Sequence, residues 1–167
     1  YIPDQITAGS QPDWYIGWLD GSLRLMPPVE IVLFGQWNLM LNILIPAIIL
    51  PGIIFTAMAL YPFLEQWATG DKSHHHLLDR PRNAPTRTAI GTMSLSFYLL
   101  LWAEGGNDLI ANTFEINIFL ITWSLRIAIF VVPPLVFVIT KRICFGLQRR
   151  DRDKLLKSLG GIKGMNK

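Results

Sequence analysis

The 167-residue chain is 51% hydrophobic, only 16% charged, and carries a formal net charge of +3. Soluble domains average about 25% charged residues, so the composition argues against a soluble enzyme and places the chain in the membrane class. The lone cysteine, Cys144, excludes an internal disulfide and a cysteine metal cage. The chain opens on Tyr1 with no basic and then apolar leader, and reads as the mature or truncated part of something longer.

In chain order, the first predicted element is a short interfacial helix over about residues 10–26. Ser10-x-x-Asp13 fits a loose capping box, with Pro12 tolerated in the first turn. Trp14, Trp18, Gly21 and Leu25 fall on one face at spacings of four, three and four. Asp13 and Asp20 lie seven residues apart, close to two turns at 3.6 residues each, and share a second face with Ile16 and Gly17 between them. Pro27-Pro28 ends the helix. Two plain roles stand beside any chemistry here. Asp13 can be the reciprocal partner of Ser10, and Asp20 can pair with Arg24 at i+4, a contact worth about 0.2–0.5 kcal/mol in isolation.

No charge occurs from Ile31 to Leu64. That run is too long for one span of about 20 residues, and Gln36, Asn38 and Asn42 make its first third more polar. The first transmembrane helix is therefore expected at about 45–66. Pro46 would sit near its start, Pro51 would kink it, and Trp37 and Trp67 would anchor it at the interfaces. The second is expected at about 86–103, following Pro85. Its uncharged core, Thr88 to Ala103, is roughly 24 Å long at about 1.5 Å per residue, so it should stand nearly upright or end in protein. The third is expected at about 116–140, bent by Pro133-Pro134.

Basic residues orient these spans. Lys72, Arg80, Arg82 and Arg87 lie between the first and second, and nine more follow the third. The N-terminal segment holds only Arg24, and residues 104–115 hold none. The positive-inside rule then puts 65–88 and the tail 141–167 in the cytoplasm, and 1–36 and 104–115 outside. The outer segments carry Asp4, Asp13, Asp20, Glu30, Glu104, Asp108 and Glu115. The basic tail reads as an anchor near anionic lipid rather than a nucleic-acid binder.

Arg126 lies about 15 Å into the third span, counted from Ile116. An intramembrane arginine faces a partner or a watery cavity, and Glu104 and Asp108 are the candidate partners, in a structural ion pair or in a proton path. His74, His75 and His76 are adjacent in a loop and cannot all face one ion, so no metal site is expected. Gly105-Gly106 should end the second span. Cys144 is assigned no chemistry.

The tetrapeptide Pro12-Asp13-Trp14-Tyr15 resembles the Pro-Glu-Trp-Tyr motif of cytochrome b, the quinone-binding subunit of the bc1 complex. It precedes three predicted spans, as in the C-terminal part of that family. Gly9–Pro28, Tyr61–Arg87 and Pro133–Arg152 are similar to the actinobacterial branch, that of the respiratory bcc–aa3 supercomplex. One departure is that aspartate stands where glutamate is commoner; its side chain is one methylene shorter and can reach a quinol hydroxyl through a water.

The resemblance implies an all-α membrane fold of three transmembrane helices plus an interfacial helix carrying the motif. It implies a place in the outer quinol-oxidation site of a menaquinol:cytochrome c oxidoreductase in a bacterial cell membrane. Asp13 would be the proton acceptor, and Pro12, Trp14, Tyr15, Ile16, Leu19 and Asp20 would line the quinol pocket. Haem b would be held by an N-terminal part of cytochrome b, because paired helical histidines are needed for it and this chain has none. The implied partners are that haem-bearing part, a Rieske iron–sulfur subunit, a cytochrome c subunit and an aa3 oxidase. The fragment alone is not expected to be active. Without the resemblance, a non-catalytic three-span scaffold subunit, or a transporter piece using Arg126 with the outer carboxylates, would fit the same spans.

Overall fold

The computed structural model describes residues 12–33, 37–70 and 79–165. Ser10, Lys72 and His74–His76 lie outside the described residues. The described chain is overwhelmingly helical, and two of its helices, Leu41–Thr69 and Ile118–Lys157, are long and apolar enough to cross a membrane. The fold is that of an all-α membrane protein with one small β-hairpin.

The first helix, α1, spans Gly17–Leu25. It is shorter than the expected 10–26, because the chain enters it through a tight turn. The Asp13 carbonyl accepts the amides of Ile16 at 2.8 Å and Gly17 at 3.2 Å. Asp13 therefore precedes the helix and shares no helical face with Asp20. Three of the four residues of the predicted face keep to it, with Gly21 and Leu25 buried and Trp18 half-buried, whereas Trp14 precedes the helix and is exposed. The helix ends at Met26, whose extended ψ of 127° is what a residue ahead of Pro27-Pro28 prefers.

An antiparallel hairpin follows, with β1 at Glu30–Leu33 and β2 at Trp37–Met40 in the register Glu30↔Met40 to Leu33↔Trp37. It occupies the polar first third of the long uncharged run. The next helix starts at Leu41, earlier than the expected 45. One α-turn, α2 (Leu41–Leu44), passes into a π-helical turn at Ile45–Ile49 and then into α3 (Leu50–Thr69). The irregularity thus falls just ahead of Pro51. A proline clashes with the carbonyl four residues back, which here is Ala47, inside the wide turn. Among the described residues of α3 none is buried, as expected for a helix apolar on all sides that faces lipid or partner subunits. Gly70 closes it in the left-handed region at φ 69°, where glycine carries no Cβ penalty.

Helix α4 runs Pro85–Gly105, over the residues of the second expected span, and the Gly105-Gly106 pair ends it, but it is not one of the two helices long and apolar enough to cross a membrane. It is less apolar than the other two long helices because Arg87, Thr88, Thr92, Ser94 and Ser96 lie along it. A short helix α5 (Asn107–Phe114) follows at once. Helix α6 then runs unbroken over Ile118–Met165, through Pro133 and Pro134 and on through the charged tail. The expected end near 140 falls where charged residues begin at Lys141, and the helix continues through them.

Two compact units divide the chain. The first contains the described residues of Tyr1–His75 and Tyr98–Ile129, and the second those of His76–Phe97 and Phe130–Lys167. In the second unit Ala89 and Cys144 are buried. Thr92 and Thr140 hydroxyls meet at 3.0 Å, Gln148 donates to the Arg82 carbonyl at 2.6 Å, and Arg82 pairs with Asp151 at 2.7 Å. Cys144 Sγ sits 3.7 Å from the Pro81 carbonyl and has no evident chemistry.

In the first unit, α1 packs on α4 with almost no side chain between them. A Cβ on Gly21 would collide with the Leu101 carbonyl, and one on Gly105 would collide with the Gly17 carbonyl. Only hydrogen at these positions lets the backbones approach so closely.

Candidate functional site

The site is best described from the two ends of α1. At the N-terminal end, Asp13, Trp14, Tyr15 and Ile16 are all exposed. The Tyr15 hydroxyl donates to Asp13 Oδ2 at 2.8 Å, and the Trp14 and Tyr15 rings meet edge to face at 6.0 Å. Asp13 Oδ1 makes no hydrogen bond among the described residues, so it is free to accept one. The bond to Asp13 holds the Tyr15 phenol proton more tightly and raises its pKa above the ordinary 10.0. The Asp13 side chain is exposed, and Tyr15 is its one side-chain hydrogen-bond partner among the described residues.

Beside the turn lies a cavity of about 340 Å³, lined by Pro12, Trp14, Gly17, Trp102, Ala103 and Leu109 among others. Its lining is apolar apart from backbone groups and the indole nitrogens. Trp102 donates its indole N–H to the Trp14 carbonyl at 2.9 Å. Pro12 and Trp14 are the two of the expected site residues that line this cavity.

The C-terminal end of α1 is closed by a polar network. Arg24 Nε lies 2.7 Å from Asp20 Oδ2, an i+4 ion pair off the line of a hydrogen bond. Its Nη1 lies 3.2 Å from Asp108 Oδ1 and donates to Asn107 Oδ1 at 2.6 Å. Asn107 Nδ2 in turn donates to Glu104 Oε1 at 2.8 Å, and the Thr122 hydroxyl donates to the same oxygen at 2.7 Å. Glu104 is fully buried, and its Oε2 has no partner among the described residues.

Arg126 does not pair with either expected carboxylate. Its Nε donates to the Leu25 carbonyl at 2.7 Å, and its guanidinium lies 4.9 Å from the Trp123 ring centre. Glu104 Oε1 is bonded to Thr122 and Asn107, and Asp108 lies against Arg24. The arginine instead caps a helix C-terminus, where unsatisfied carbonyls favour a cation.

The remaining expected site residues divide between these ends. Leu19 is half-buried, and its carbonyl accepts the Ser22 hydroxyl at 2.7 Å. Asp20 belongs to the Arg24 cluster rather than to Asp13. Trp102, Gly105 and Leu109 were missed by sequence reasoning. They lie some 90 residues from the motif, and only an amphipathic aromatic at the end of a predicted span hinted at Trp102.

No family model matches the chain. It is 54% identical over 156 residues to the "Cytochrome bc1 complex cytochrome b subunit" of Streptomyces coelicolor, covering 93% of this chain and 28% of the relative. It is 46% identical to the protein of that name from Corynebacterium diphtheriae and 44% identical to that from Mycobacterium bovis, with the same coverages. The chain belongs with the cytochrome b subunits of the bc1 complex. It spans about 28% of the length of these relatives, within their C-terminal part.

Haem b, which cytochrome b implies, does not fit the residues of this segment. Axial imidazoles must come from helices facing one another, whereas the three histidines are consecutive at 74–76. Among the described residues no three His, Cys, Asp or Glu side chains converge on one point. No electron step is therefore assigned to this chain.

Proposed function

We propose that this segment forms part of the outer quinol-oxidation site of a bc1-type, menaquinol-oxidising respiratory complex, with Asp13 as a proton acceptor. The observation that carries the reading is a Pro12-Asp13-Trp14-Tyr15 turn left exposed beside an apolar cavity, in a chain 44–54% identical to cytochrome b subunits.

Quinol oxidation releases two protons and two electrons. A base must lie within about 2.6–3.2 Å of a quinol hydroxyl, or one water away. Asp13 Oδ1 is open to that hydroxyl while Oδ2 is held by Tyr15. The Tyr15 bond fixes the carboxylate's orientation, and the phenol keeps its own proton. Pro12, Trp14 and Tyr15 with Ile16, Leu19 and Asp20 supply the wall of the quinol pocket that comes from this chain. The electrons pass to carriers on partners, one to a Rieske iron–sulfur subunit and one to haem b on the N-terminal part of cytochrome b. The electron taken by the Rieske subunit would continue towards a cytochrome c subunit and an aa3 oxidase.

In this reading three spans at about 45–66, 86–103 and 116–140 would leave residues 1–36 and 104–115 outside and the basic tail in the cytoplasm, and the motif would then lie on the side where protons are released. Asp13→Asn in the assembled complex keeps the side-chain shape and removes the base. Menaquinol oxidation should fall by about a hundredfold, the low end for a general base, with haem content unchanged. Turnover equal to the parent would sink the proton-acceptor role.

A further inference from the structure

Helix α1 is held at both ends by side chains from the long helices. Arg126 of α6 holds the Leu25 carbonyl at the C-terminal end. At the other end the indole of Trp102, on α4, holds the Trp14 carbonyl in the middle of the motif. We propose that Trp102 is a positioning residue of the quinol site, setting the place of the Asp13–Tyr15 turn through its indole N–H. The inference rests on the reading that this turn forms that site.

Three observations converge on Trp102. Its hydrogen bond is directed at the residue between Asp13 and Tyr15, the two side chains joined by the 2.8 Å bond. Its ring lies against Gly17, the first residue of α1, where a Cβ would meet indole Cδ1 at 3.0 Å and Nε1 at 3.1 Å. The same ring lines the apolar cavity next to the motif, together with Pro12 and Trp14. One side chain thus touches the motif backbone, the start of the helix and the cavity.

The two mounts differ in what backs them up. At the C-terminal end Arg126 is joined by the Arg24–Asp20–Asp108–Asn107–Glu104 cluster. At the N-terminal end Trp102 supplies the one side-chain hydrogen bond from another helix to residues 12–16, among the described residues. A helix held firmly at one end can swing at the other. Loss of the indole N–H therefore moves the motif without unseating the helix. A displacement near 1 Å at a reacting group can cost about a hundredfold in rate.

The test uses the assembled complex with Trp102→Phe, which removes the donor and keeps an aromatic ring. Three results are expected. The kcat for menaquinol should fall by about ten- to a hundredfold while KM changes less than about twofold. Haem content should be unchanged. Amide hydrogen exchange should speed up over residues 12–17 and not over 20–25. Gly17→Ala, which presses a methyl against the same ring, should give the same kcat signature. Parent kcat and KM in Trp102→Phe overturn the proposal, and so does faster exchange at 12–17 with unchanged turnover. Loss of haem in Trp102→Phe also overturns it, since the residue would then serve assembly. The Asp13→Asn variant separates the two ideas. If Asp13→Asn is slow and Trp102→Phe is not, the mount fails and the site stands. If Asp13→Asn turns over normally, the site itself fails.

Discussion

The two ends of α1 contain the same kinds of residue and use them in opposite ways. At the C-terminal end Asp20 and Asp108 flank Arg24, and Glu104 takes two hydrogen bonds from Asn107 and Thr122. These carboxylates are committed to holding the helix on its neighbours. At the N-terminal end the Asp13 side chain bonds only Tyr15 among the described residues and leaves one oxygen open. A carboxylate satisfied by its own fold is poorly placed to exchange protons with a substrate. One left open beside an apolar cavity is well placed. The contrast separates structural acids from the chemical candidate across the two ends of a helix of only nine residues.

Substitutions at each end can break or sharpen that contrast. The largest expected effect is the hundredfold loss of turnover in Asp13→Asn, set against Asp108→Asn at the other end. Asp108→Asn should keep turnover within about twofold while lowering the thermal unfolding temperature of the complex. It weakens a charged bond worth about 1.5–3 kcal/mol, with the lower end expected because Arg24 is partly exposed. Equal turnover losses in the two variants would erase the contrast.

Next comes the seam that joins α1 to α4. Gly21→Ala drives a methyl into the Leu101 carbonyl, and should cost about 1–3 kcal/mol as an overpacked contact, read as reduced yield and a lower Tm. Gly91→Ala, where a Cβ meets nothing within 4 Å, is the matched control and should be neutral or slightly stabilising. Arg126→Met should lower stability through the lost Leu25 cap by about 1 kcal/mol, the range for a cation at a helix C-terminus; Arg126→Lys should recover part of it.

The smallest effect is spectroscopic. The raised pKa of Tyr15 means that the Tyr15–Asp13 bond is fully present below the ordinary value of 10.0 and is lost as pH rises through the raised one. In an ultraviolet titration, the component that disappears in Tyr15→Phe should titrate above 10.0 in the parent. It should move back toward 10.0 in Asp13→Asn. No movement would mean that the two side chains do not meet in solution.

Much of this architecture could be read from local signals. Pro85 and Gly105-Gly106 bound α4 because proline and glycine punctuate helices wherever they occur. The Asp20–Arg24 pair followed from i+4 spacing alone. The hairpin at Glu30–Met40 was not legible as such, since a short apolar run fits a strand or a helix equally well. Nor was the length of α6, because Lys, Arg, Asp and Leu are as compatible with helix as the apolar residues before them. Arg126 was correctly marked as needing a partner, but its acceptor is a backbone carbonyl on a different helix, which spacing cannot reveal. The Asp13–Tyr15 bond was missed for a local reason: residues two apart do not meet on a helix, and they meet here because the motif is a turn.

The wide turn at Ile45–Ile49 has a consequence for how this family can tolerate insertions and deletions. A π-turn is an α-helix with one residue added. Deleting Ala47 should restore an ordinary helix between Leu41 and Thr69, with little loss of helical content. It would also rotate everything beyond Leu50 by about 100° relative to Leu41, the angular step of one residue at 3.6 per turn. Ser22, whose hydroxyl lies 3.4 Å from the Pro46 carbonyl, would lose that contact. Phe55, Met58 and Trp67 would point in new directions. The extra residue therefore works as a phase setting, fixing the direction in which each face of the helix beyond Leu50 points.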